Sequence, residues 1–363
     1  MRKLLLFIPF LFSVLIVNAQ RHVLLEEFTG AYCGNCPMGS YYIDSMQAVY
    51  PTLIPISLHS YGVYDAMNFP QIDTLDAAYS AGAPLAGIDR ICHGPTSDNT
   101  AQYITFWDNN IQQRLAVAPQ LDVNVIPTWT SATRIISAQV DVNILSNMDT
   151  GDYRIGLYVM EDSVTGIGAA YDQENFYDTQ AGNPFYGMGN PIVGYVHRHV
   201  ARAILPSSWG LAGVIPASPT TGQNFTTTFN YTLPASYNEN HVHLIAFVYS
   251  FTSNHAGDEV MNANEAKLIP AFMGINTVAK TNALSIYPNP VYNRLIVSFP
   301  EILSSDSQAK IYNSEGEEVL QQNIAANARL MSIDVSQLSA GIYFLTITNQ
   351  DQHFQGQRIL ITR

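Results

Sequence analysis

The spacing of apolar residues changes along the chain and divides it into a mixed part and a part rich in strands. In residues 20–117, short apolar runs alternate with segments of helical spacing, such as 104–115. From residue 118 to 268 the spacing changes to alternation, clearest in 138–144, which predicts strands with one buried face. Residues 242–249 are apolar on both faces, as expected of a central strand.

A pair of cysteines, Cys33 and Cys36, lies between a predicted strand and a predicted helix. The strand is the apolar run at 23–28, and the helix covers residues 37–50. Four residues repeat at helical spacing in that helix: Met38, Tyr42, Met46 and Val49. A cysteine at a helix N-terminus meets unpaired backbone N–H groups and the positive end of the helix dipole, which favour the thiolate. The position therefore predicts Cys33 as a nucleophile and Cys36 as the thiol that resolves its mixed disulfide.

Further elements follow the dithiol helix in alternating order. Residues 53–58 are typical of a buried strand, 72–79 of a short helix, and 104–115 of a closing helix. Another strand is expected at the end of the segment 82–89. Residues 90–100 contain turn-forming residues where the thioredoxin pattern, which this order of elements resembles, has a final edge strand. Either that strand is vestigial or the register of the predicted elements is wrong.

The order of strand, dithiol, helix and a later proline-led strand resembles the thioredoxin superfamily. Glu27 stands six residues before the first cysteine and next to a phenylalanine, where that family carries a buried acid that accepts a proton from the second thiol. Pro84 stands where the family has a cis-proline facing the dithiol, and cis bonds are confined almost wholly to X–Pro. The resemblance implies an α/β thioredoxin-like domain at residues 20–117, with Cys33, Cys36, Glu27 and Pro84 as its catalytic residues.

The first 19 residues are typical of a secretory signal peptide. Arg2 and Lys3 precede an uncharged apolar stretch at 4–17, and small residues suit cleavage before Gln20. The stretch is too short to span a bilayer comfortably, and no comparable run follows it. We therefore expect an exported chain with no transmembrane helix in its mature form.

The composition is acidic and poor in charged residues. The chain has a formal net charge of −13, and only 12% of its residues are charged, whereas tyrosine occurs 21 times. An acidic chain is repelled by phosphate backbones, which argues against nucleic acid as a partner. This composition is typical of an extracellular protein rich in strands.

Three cysteines leave one close pair and one single residue, Cys92. A staple between Cys33 and Cys36 would close a ring of about four residues and contribute about 2 kcal/mol, against about 4 kcal/mol for a ring of roughly sixty. We therefore favour redox chemistry for the pair, with a structural disulfide or a metal site as the alternatives. Cys92 is expected on the strand after Pro84, too far away to reach the dithiol. It is either a passive thiol or one that pairs with another molecule.

Histidines form two pairs at strand spacing, His197 with His199 and His241 with His243. Two such pairs could hold a metal, but no firmly placed carboxylate completes a set of ligands. Half-exposed or hydrogen-bonded strand histidines are the simpler interpretation. His59, at the end of a predicted strand, either stabilises a thiolate or is an ordinary loop residue. The sequence thus predicts no metal and no cofactor.

Residues 284–363 follow a linker at 269–283 and contain short strands divided by Pro, Asn and Gly turns. The segments 287–290 (Tyr-Pro-Asn-Pro) and 338–344 carry a resemblance to the type IX secretion C-terminal sorting domain of Bacteroidota. The resemblance implies a small all-β sandwich that engages the type IX secretion machinery. It also implies passage through the outer membrane, followed by release or surface attachment.

The middle region, residues 118–268, is expected to be an all-β sandwich of the immunoglobulin or fibronectin kind. With the first region it resembles the Bacteroidota family named for a 28-kilodalton outer membrane protein, on the segment 195–203 and the pair Asp89-Arg90. Residues 162–196 are rich in Gly, Asn, Pro and Tyr and show no sustained period. That stretch is a binding surface, a packed insertion or a disordered one.

Two functions are consistent with these features. The first is a thiol-disulfide oxidoreductase, extracellular or at the outer-membrane surface, that acts on protein thiols or disulfides through Cys33 and Cys36. The second is a non-catalytic surface or adhesion protein, in which the folds are a scaffold for an unknown surface ligand. The first function requires sulfurs that are open to solvent and a cis bond at Pro84 beside them.

Overall fold

The computed structural model describes residues 20–60, 64–80, 82–268, 285–299, 303, 305–313, 316–348 and 353–362. The predicted signal peptide and linker lie outside the described residues. The chain forms two compact units that divide between Phe272 and Met273. Within the described part of the chain, no helix is long and apolar enough to cross a membrane.

Among its described residues, the first unit contains three α-helices and eleven strands. In chain order they are β1 (Val23–Thr29), α1 (Cys36–Val49), β2 (Leu53–His59), α2 (Pro70–Tyr79), β3 (Leu85–Ile88), β4 (Ala101–Tyr103), α3 (Ile104–Leu115), β5 (Leu121–Thr130), β6 (Ile135–Ile144), β7 (Asp152–Glu161), β8 (Val200–Leu205), β9 (Asn224–Thr232), β10 (Val242–Phe251) and β11 (Glu259–Lys267). Eight strands form one sheet in the order β11-β10-β7-β8-β2-β1-β3-β4, and β5, β6 and β9 form a second. The unit is therefore mostly β-structure.

The part of the large sheet formed by β1 to β4 carries helices on both faces. β1 runs parallel to β2 and antiparallel to β3, and β4 pairs with β3 at the edge. Alternate residues of β1 face opposite sides of the sheet. Val23 and Leu25 pack with α1 and α3, whereas Leu24 and Phe28 pack with α2. This packing fixes the start of α1, and with it the dithiol, beside the end of β1.

The segment after β3 differs from its prediction in two respects. The edge strand is present, but it is three residues long, Ala101–Tyr103, and it follows the turn-rich residues. A strand of this length is too short to show a period in the sequence. Cys92 does not lie on a strand, because β3 ends at Ile88. Its thiol instead donates to the carbonyl groups of Gly94 and Thr96, at 3.2 and 3.1 Å.

Helix α1 buries a face that is offset from the predicted one. Tyr42 and Val49, which were expected to face the core, are 39% and 65% exposed. Of the predicted positions, Met46 is buried, and the buried face also contains Gly39 and Ile43. Gly39 packs against the sheet but has no apolar side chain, so this position does not contribute to the apolar period of the helix.

The strand-rich part of the first unit is a two-layer sandwich. β5, β6 and β9 pair in antiparallel fashion, and their inward side chains share a core with those of β7 and β10. The predicted alternation is present in β6, where these residues are buried: Ala138, Val140, Val142 and Ile144. Because β7 and β10 also belong to the eight-stranded sheet, that sheet continues across the boundary predicted at residues 117 and 118.

A buried arginine joins the helix-bearing part of the first unit to the sandwich. Arg90 donates to the two carboxylate oxygens of Glu26 at 2.9 and 2.7 Å. Its guanidinium carbon lies 5.2, 4.9 and 4.6 Å from the ring centres of Tyr79, Phe247 and Tyr249. Since these rings lie on α2 and β10, a single side chain contacts both parts.

The second unit is a small all-β sandwich. Its described strands are β12 (Ser285–Tyr287), β13 (Arg294–Ser298), β14 (Ser307–Tyr312), β15 (Glu318–Ile324), β16 (Leu330–Asp334), β17 (Gly341–Thr348) and β18 (His353–Ile361). They form a three-stranded sheet in the order β12-β13-β16 and a four-stranded sheet in the order β15-β14-β17-β18. Apolar residues of both sheets, including Leu295, Ile311 and Ile347, form one core.

Candidate functional site

The two cysteines form a disulfide at the N-terminus of α1. Cys36 is the first residue of the helix, and Cys33 lies in the turn that leads from β1 into it. The two Cα atoms are 5.3 Å apart, and the backbone amide of Cys36 donates to the carbonyl of Cys33 at 3.0 Å. The strand, the dithiol and the helix thus follow one another as the sequence pattern indicates.

Both cysteines are buried in this structure. Cys33 is 4% exposed and Cys36 is 1% exposed. The oxidoreductase interpretation requires sulfurs that are open to solvent, and this requirement is not met here. Thiol-disulfide exchange needs an attacking thiolate that can reach one of the sulfurs. Exchange at this disulfide therefore requires the covering residues to move.

A long insertion between β7 and β8, residues 162–199, lies against the dithiol turn, and we call it the cap. The backbone amide of Glu174 donates to the carbonyl of Ala31 at 2.8 Å, and that of Phe176 donates to the carbonyl of Gly34 at 2.9 Å. The cap therefore runs along the turn that holds the disulfide. Of the three interpretations of this stretch, the packed insertion agrees with the structure.

Glu27 lies on β1 and is completely buried. Its Oε2 atom accepts a hydrogen bond from the Ser57 hydroxyl at 3.1 Å, whereas Oε1 has no hydrogen-bond partner among the described residues. Burial raises the pKa of Glu27 to about 8, because the charged carboxylate loses its hydration. A carboxyl group with this pKa can hold or release a proton near neutral pH.

Glu27 and Pro84 meet beneath the first turn of α1, whose first residue is Cys36. Pro84 follows a cis peptide bond. A Cβ atom built on Gly39 would stand 2.0 Å from Oε1 of Glu27 and 3.2 Å from Cβ of Pro84. The absence of a side chain at Gly39 lets the helix pack directly on both residues.

Replacing Gly39 with Ala is expected to destabilise the first unit by about 1–3 kcal/mol, because the new methyl group would overlap the buried carboxyl group of Glu27. The higher helix propensity of Ala, about 1 kcal/mol, offsets only part of this cost. Urea unfolding of the two proteins measures the difference. The control is Ser45→Ala on the exposed face of α1, where a change within about 0.5 kcal/mol is expected. A Gly39→Ala protein as stable as the wild type would contradict this close packing.

A buried histidine pair links the cap to β2. The Nδ1 atom of His59 lies 2.8 Å from Oδ2 of Asp65, and the same carboxylate oxygen accepts the backbone amide of Ala31 at 2.7 Å. The ring centre of His59 is 5.2 Å from that of His197, whose Nε2 donates to the Tyr171 carbonyl at 2.8 Å. Burial, followed by the neighbouring His59, lowers the pKa of His197 to about 4. His197 is therefore neutral at physiological pH and packs the cap against the sheet.

The predicted pair His241 and His243 also makes separate contacts. His243 interacts with the carboxylate of Glu265, and Nδ1 of His241 lies 3.1 Å from the carbonyl of Asp162. In the part of the chain that the structure describes, no three His, Cys, Asp or Glu side chains are grouped so that they could hold a metal ion.

Two family profiles match the sequence. Residues 285–362 match the secretion system C-terminal sorting domain, and residues 72–270 match a family described as outer membrane protein Omp28. The first match defines the class: this is an exported Bacteroidota protein of the outer membrane or cell surface, whose sorting domain implies the type IX secretion machinery as a partner. The second match covers more than half of the chain, and the chain belongs to the Omp28 family.

Two solved structures are similar to this chain. HBP35 of Porphyromonas gingivalis is similar with a TM-score of 0.52 and 19% sequence identity, over 95% of this chain and 99% of that one. At this identity the likeness concerns the fold alone. A domain of the outer membrane lipoprotein Omp28 from Porphyromonas gingivalis aligns over 42% of this chain and 92% of that one, with 16% identity and a TM-score of 0.25. No curated protein matches the chain.

The cap residues that contact the dithiol turn, Gln173 and Phe176, were not identified from the sequence. They lie in a stretch without helical or strand period, and the partners of Gln173 in the dithiol turn are about 140 positions earlier in the chain. The richness of this stretch in Gly, Asn, Pro and Tyr indicated an insertion. It gave no information about the surface on which the insertion packs.

Proposed function

We propose that the chain is an exported surface scaffold, in which a thioredoxin-like part holds the Cys33–Cys36 disulfide in a closed state. The observation that carries this proposal is the burial of both cysteines beneath the cap, at 4% and 1% exposure. A disulfide that no thiolate can reach acts as a link between the dithiol turn and α1. The outer surface of the cap is then available to a surface ligand.

The thioredoxin-like assignment of residues 20–117 is supported by topology. The strands lie in the order β2-β1-β3-β4, with a parallel pair followed by an antiparallel pair, and helices cover both faces. The position of the dithiol at the start of α1 and the cis bond before Pro84 agree with this assignment. In the scaffold, this sheet is extended beyond β2 by the strands of the sandwich.

The scaffold proposal is also supported by large apolar side chains on the outer surface of the cap. Phe176, Tyr186 and Met188 are 55%, 55% and 50% exposed. Aromatic side chains provide contact area at a low cost in conformational entropy. These residues are the first candidates for contact with a surface ligand.

A second function, thiol-disulfide exchange, is favoured by the buried Glu27 with its pKa of about 8. In this function Cys33 attacks a substrate disulfide and Cys36 resolves the mixed disulfide. Glu27 accepts the proton from Cys36, and the backbone beside Pro84 positions the substrate. This function requires the cap to move, because both sulfurs are covered in the closed form.

Trapping of Cys33 distinguishes the two functions. In a Cys36→Ser, Cys92→Ser protein, Cys33 is the remaining thiol of the mature chain. For the scaffold, we expect iodoacetamide to alkylate this thiol at least about a hundredfold more slowly in the folded protein than in urea, since alkylation must wait for local opening. We also expect no mixed disulfides with surface proteins, as judged by non-reducing gels and mass spectrometry.

The matched control keeps Cys92 and replaces both cysteines of the pair, as Cys33→Ser, Cys36→Ser. Cys92 is partly exposed, so its rate shows how a thiol outside the cap reacts with the same reagent. Rapid alkylation of Cys33 together with trapped protein partners would exclude the closed scaffold and support the oxidoreductase.

A further inference from the structure

The side-chain amide of Gln173 is a buried polar contact between the cap and the dithiol turn. Gln173 is 3% exposed, and its Nε2 atom lies 3.1, 3.2 and 2.9 Å from the carbonyl oxygens of Gly30, Ala31 and Cys33. One buried amide with two N–H groups therefore serves a cluster of carbonyls. Loss of this donor weakens the closed form, because the carbonyls of Gly30, Ala31 and Cys33 then keep only their single backbone donors, the amides of Cys33, Glu174 and Cys36.

Phe176 covers the turn between the two cysteines. A Cβ atom built on Gly34 would stand 2.3 Å from the nearest ring carbon of Phe176, so the ring lies directly on the glycine. Phe176 is nevertheless 55% exposed. The ring therefore blocks the turn with part of its surface but gains little free energy from burial, and this contact resists opening only weakly.

The cap has internal contacts of its own that do not involve the dithiol turn. The side-chain amide of Asn175 donates to the carbonyl groups of Phe185 and Gly189, at 3.0 Å each. Gln173 and Ile192 exchange two backbone hydrogen bonds, at 3.1 and 2.7 Å. The segment over the turn can therefore move away with these internal contacts kept, and opening breaks its contacts with the turn and with α1, including that of Asn183 with Met38.

We propose that the cap is a gate, a segment that opens and closes over the Cys33–Cys36 disulfide. Gln173 holds it closed, and Phe176 excludes large thiols. Small thiols reach the disulfide during brief local opening, whereas a protein dithiol requires the cap to be displaced. This proposal goes beyond the scaffold function, because it gives the disulfide a reactive open form and a preference for the size of the reductant.

The reaction in the open form is a two-electron exchange with a dithiol. A thiolate of the dithiol attacks Cys33 Sγ, the bond between Cys33 and Cys36 breaks, and Cys36 leaves as a thiolate that takes up one proton. The second thiolate of the dithiol then attacks its own sulfur in the mixed disulfide. This step releases Cys33 as a thiolate, which is protonated by solvent, and the reductant leaves as a disulfide.

The gate is tested by the rate of disulfide reduction in the mature full-length chain. Dithiothreitol is the small reductant and a reduced thioredoxin is the protein reductant, and alkylation followed by mass spectrometry counts the thiols formed at Cys33 and Cys36. We expect Gln173→Ala to be reduced by dithiothreitol about tenfold faster than the wild type, as expected for the loss of one buried hydrogen-bonding group from the closed form. We expect Phe176→Ala to increase the rate with thioredoxin by a larger factor than the rate with dithiothreitol.

The matched control is Gln180→Ala. Gln180 is an exposed glutamine of the cap whose amide donates to the Phe176 carbonyl, within the cap and away from the cysteines. It should be reduced at close to the wild-type rate. Phe176→Ala removes an exposed side chain and keeps the test valid if Gln173→Ala does not fold.

The two proposals fail separately in this experiment. Folded Gln173→Ala and Phe176→Ala proteins that are reduced at wild-type rates by both reductants would overturn the gate and leave the scaffold intact. A wild-type protein that is reduced as fast as the urea-unfolded chain would overturn the closed scaffold itself.

Discussion

Replacing Glu27 with Gln is expected to raise the free energy of unfolding of the first unit by on the order of 4 kcal/mol at about pH 8.5. The side chain is completely buried, and burial raises its pKa from 4.5 to about 8. Glutamine has nearly the same shape but no charge. The variant therefore avoids the cost of burying a carboxylate, and its advantage should disappear below about pH 4.5.

The sign of this effect follows from proton binding. Below about pH 4.5 the carboxyl group is protonated in both the folded and the unfolded chain. Between pH 4.5 and about 8 the unfolded chain releases the proton while the folded chain keeps it, so the wild type loses stability as the pH rises. Above about pH 8 both states are ionised and the full cost is present. The difference between Glu27→Gln and the wild type should therefore grow steadily through this range.

Urea unfolding of oxidised protein at several pH values between about 4 and 9 measures this difference. Other groups titrate in the same range, but they are common to both proteins and cancel in the comparison. Glu174→Gln is the matched control for the change from a carboxylate to an amide, since Glu174 is a half-buried residue of the cap. A difference between Glu27→Gln and the wild type that does not change with pH would mean that water or another group hydrates Glu27 in the folded chain.

The position of the dithiol could be predicted because its signals are local. An apolar run, two cysteines and a helical repeat follow one another within about thirty residues, and a helix N-terminus has the same effect on a thiol in any fold. The grouping of Glu27 with Pro84 depended on resemblance to a known family, since the two residues are far apart in sequence. Their common contact, Gly39, has no side chain, so the apolar pattern of the sequence did not reveal this contact.

The cap could not be predicted because its contacts are not local. Gln173 and Phe176 contact backbone groups of the dithiol turn, and backbone groups carry no information about the residue type that covers them. Residues in a tight turn also follow neither the helical nor the strand spacing of apolar residues. The accessibility of Cys33, which decides between the two functions, is therefore a property that the sequence pattern alone does not reveal.

The continuous sheet was hidden for a related reason. β8 joins strands β1 to β4 to the sandwich through the single pair Ser57 and Val200 at β2. Val200 follows an insertion of nearly forty residues after β7, so no turn signal connects it to its neighbours. In the sequence, Arg90 was noted only as part of the Asp89-Arg90 pair that follows a predicted strand. Its partners on α2, β7 and β10 show that it is a central contact between the two regions.

Replacing Arg90 with Met is expected to destabilise the first unit by about 3–5 kcal/mol, because it leaves the carboxylate of Glu26 buried without its partner. Both side chains of this ion pair are almost fully buried, at 0% and 3% exposure. Arg90 has a positive φ of 56°, and Met retains a Cβ atom there, so the backbone strain is the same in both proteins. The stability lost in Arg90→Met therefore measures the contribution of the charge of Arg90 and of its hydrogen bonds. Urea unfolding near neutral pH measures it.

Two further proteins separate the ion pair from the packing around it. In Glu26→Gln, Arg90→Met no buried charge remains, and we expect at least half of the lost stability to return, since Met still fills the space between the rings of Tyr79 and Tyr249. Arg198→Met removes an exposed partner of Asp44 and should cost less than about 1 kcal/mol. If the double variant is no more stable than Arg90→Met, the cost comes from lost contact between the cation and the rings. In that case the contacts of Arg90 with the aromatic residues of α2 and β10, more than its pairing with Glu26, hold the helix-bearing part of the first unit against the sandwich.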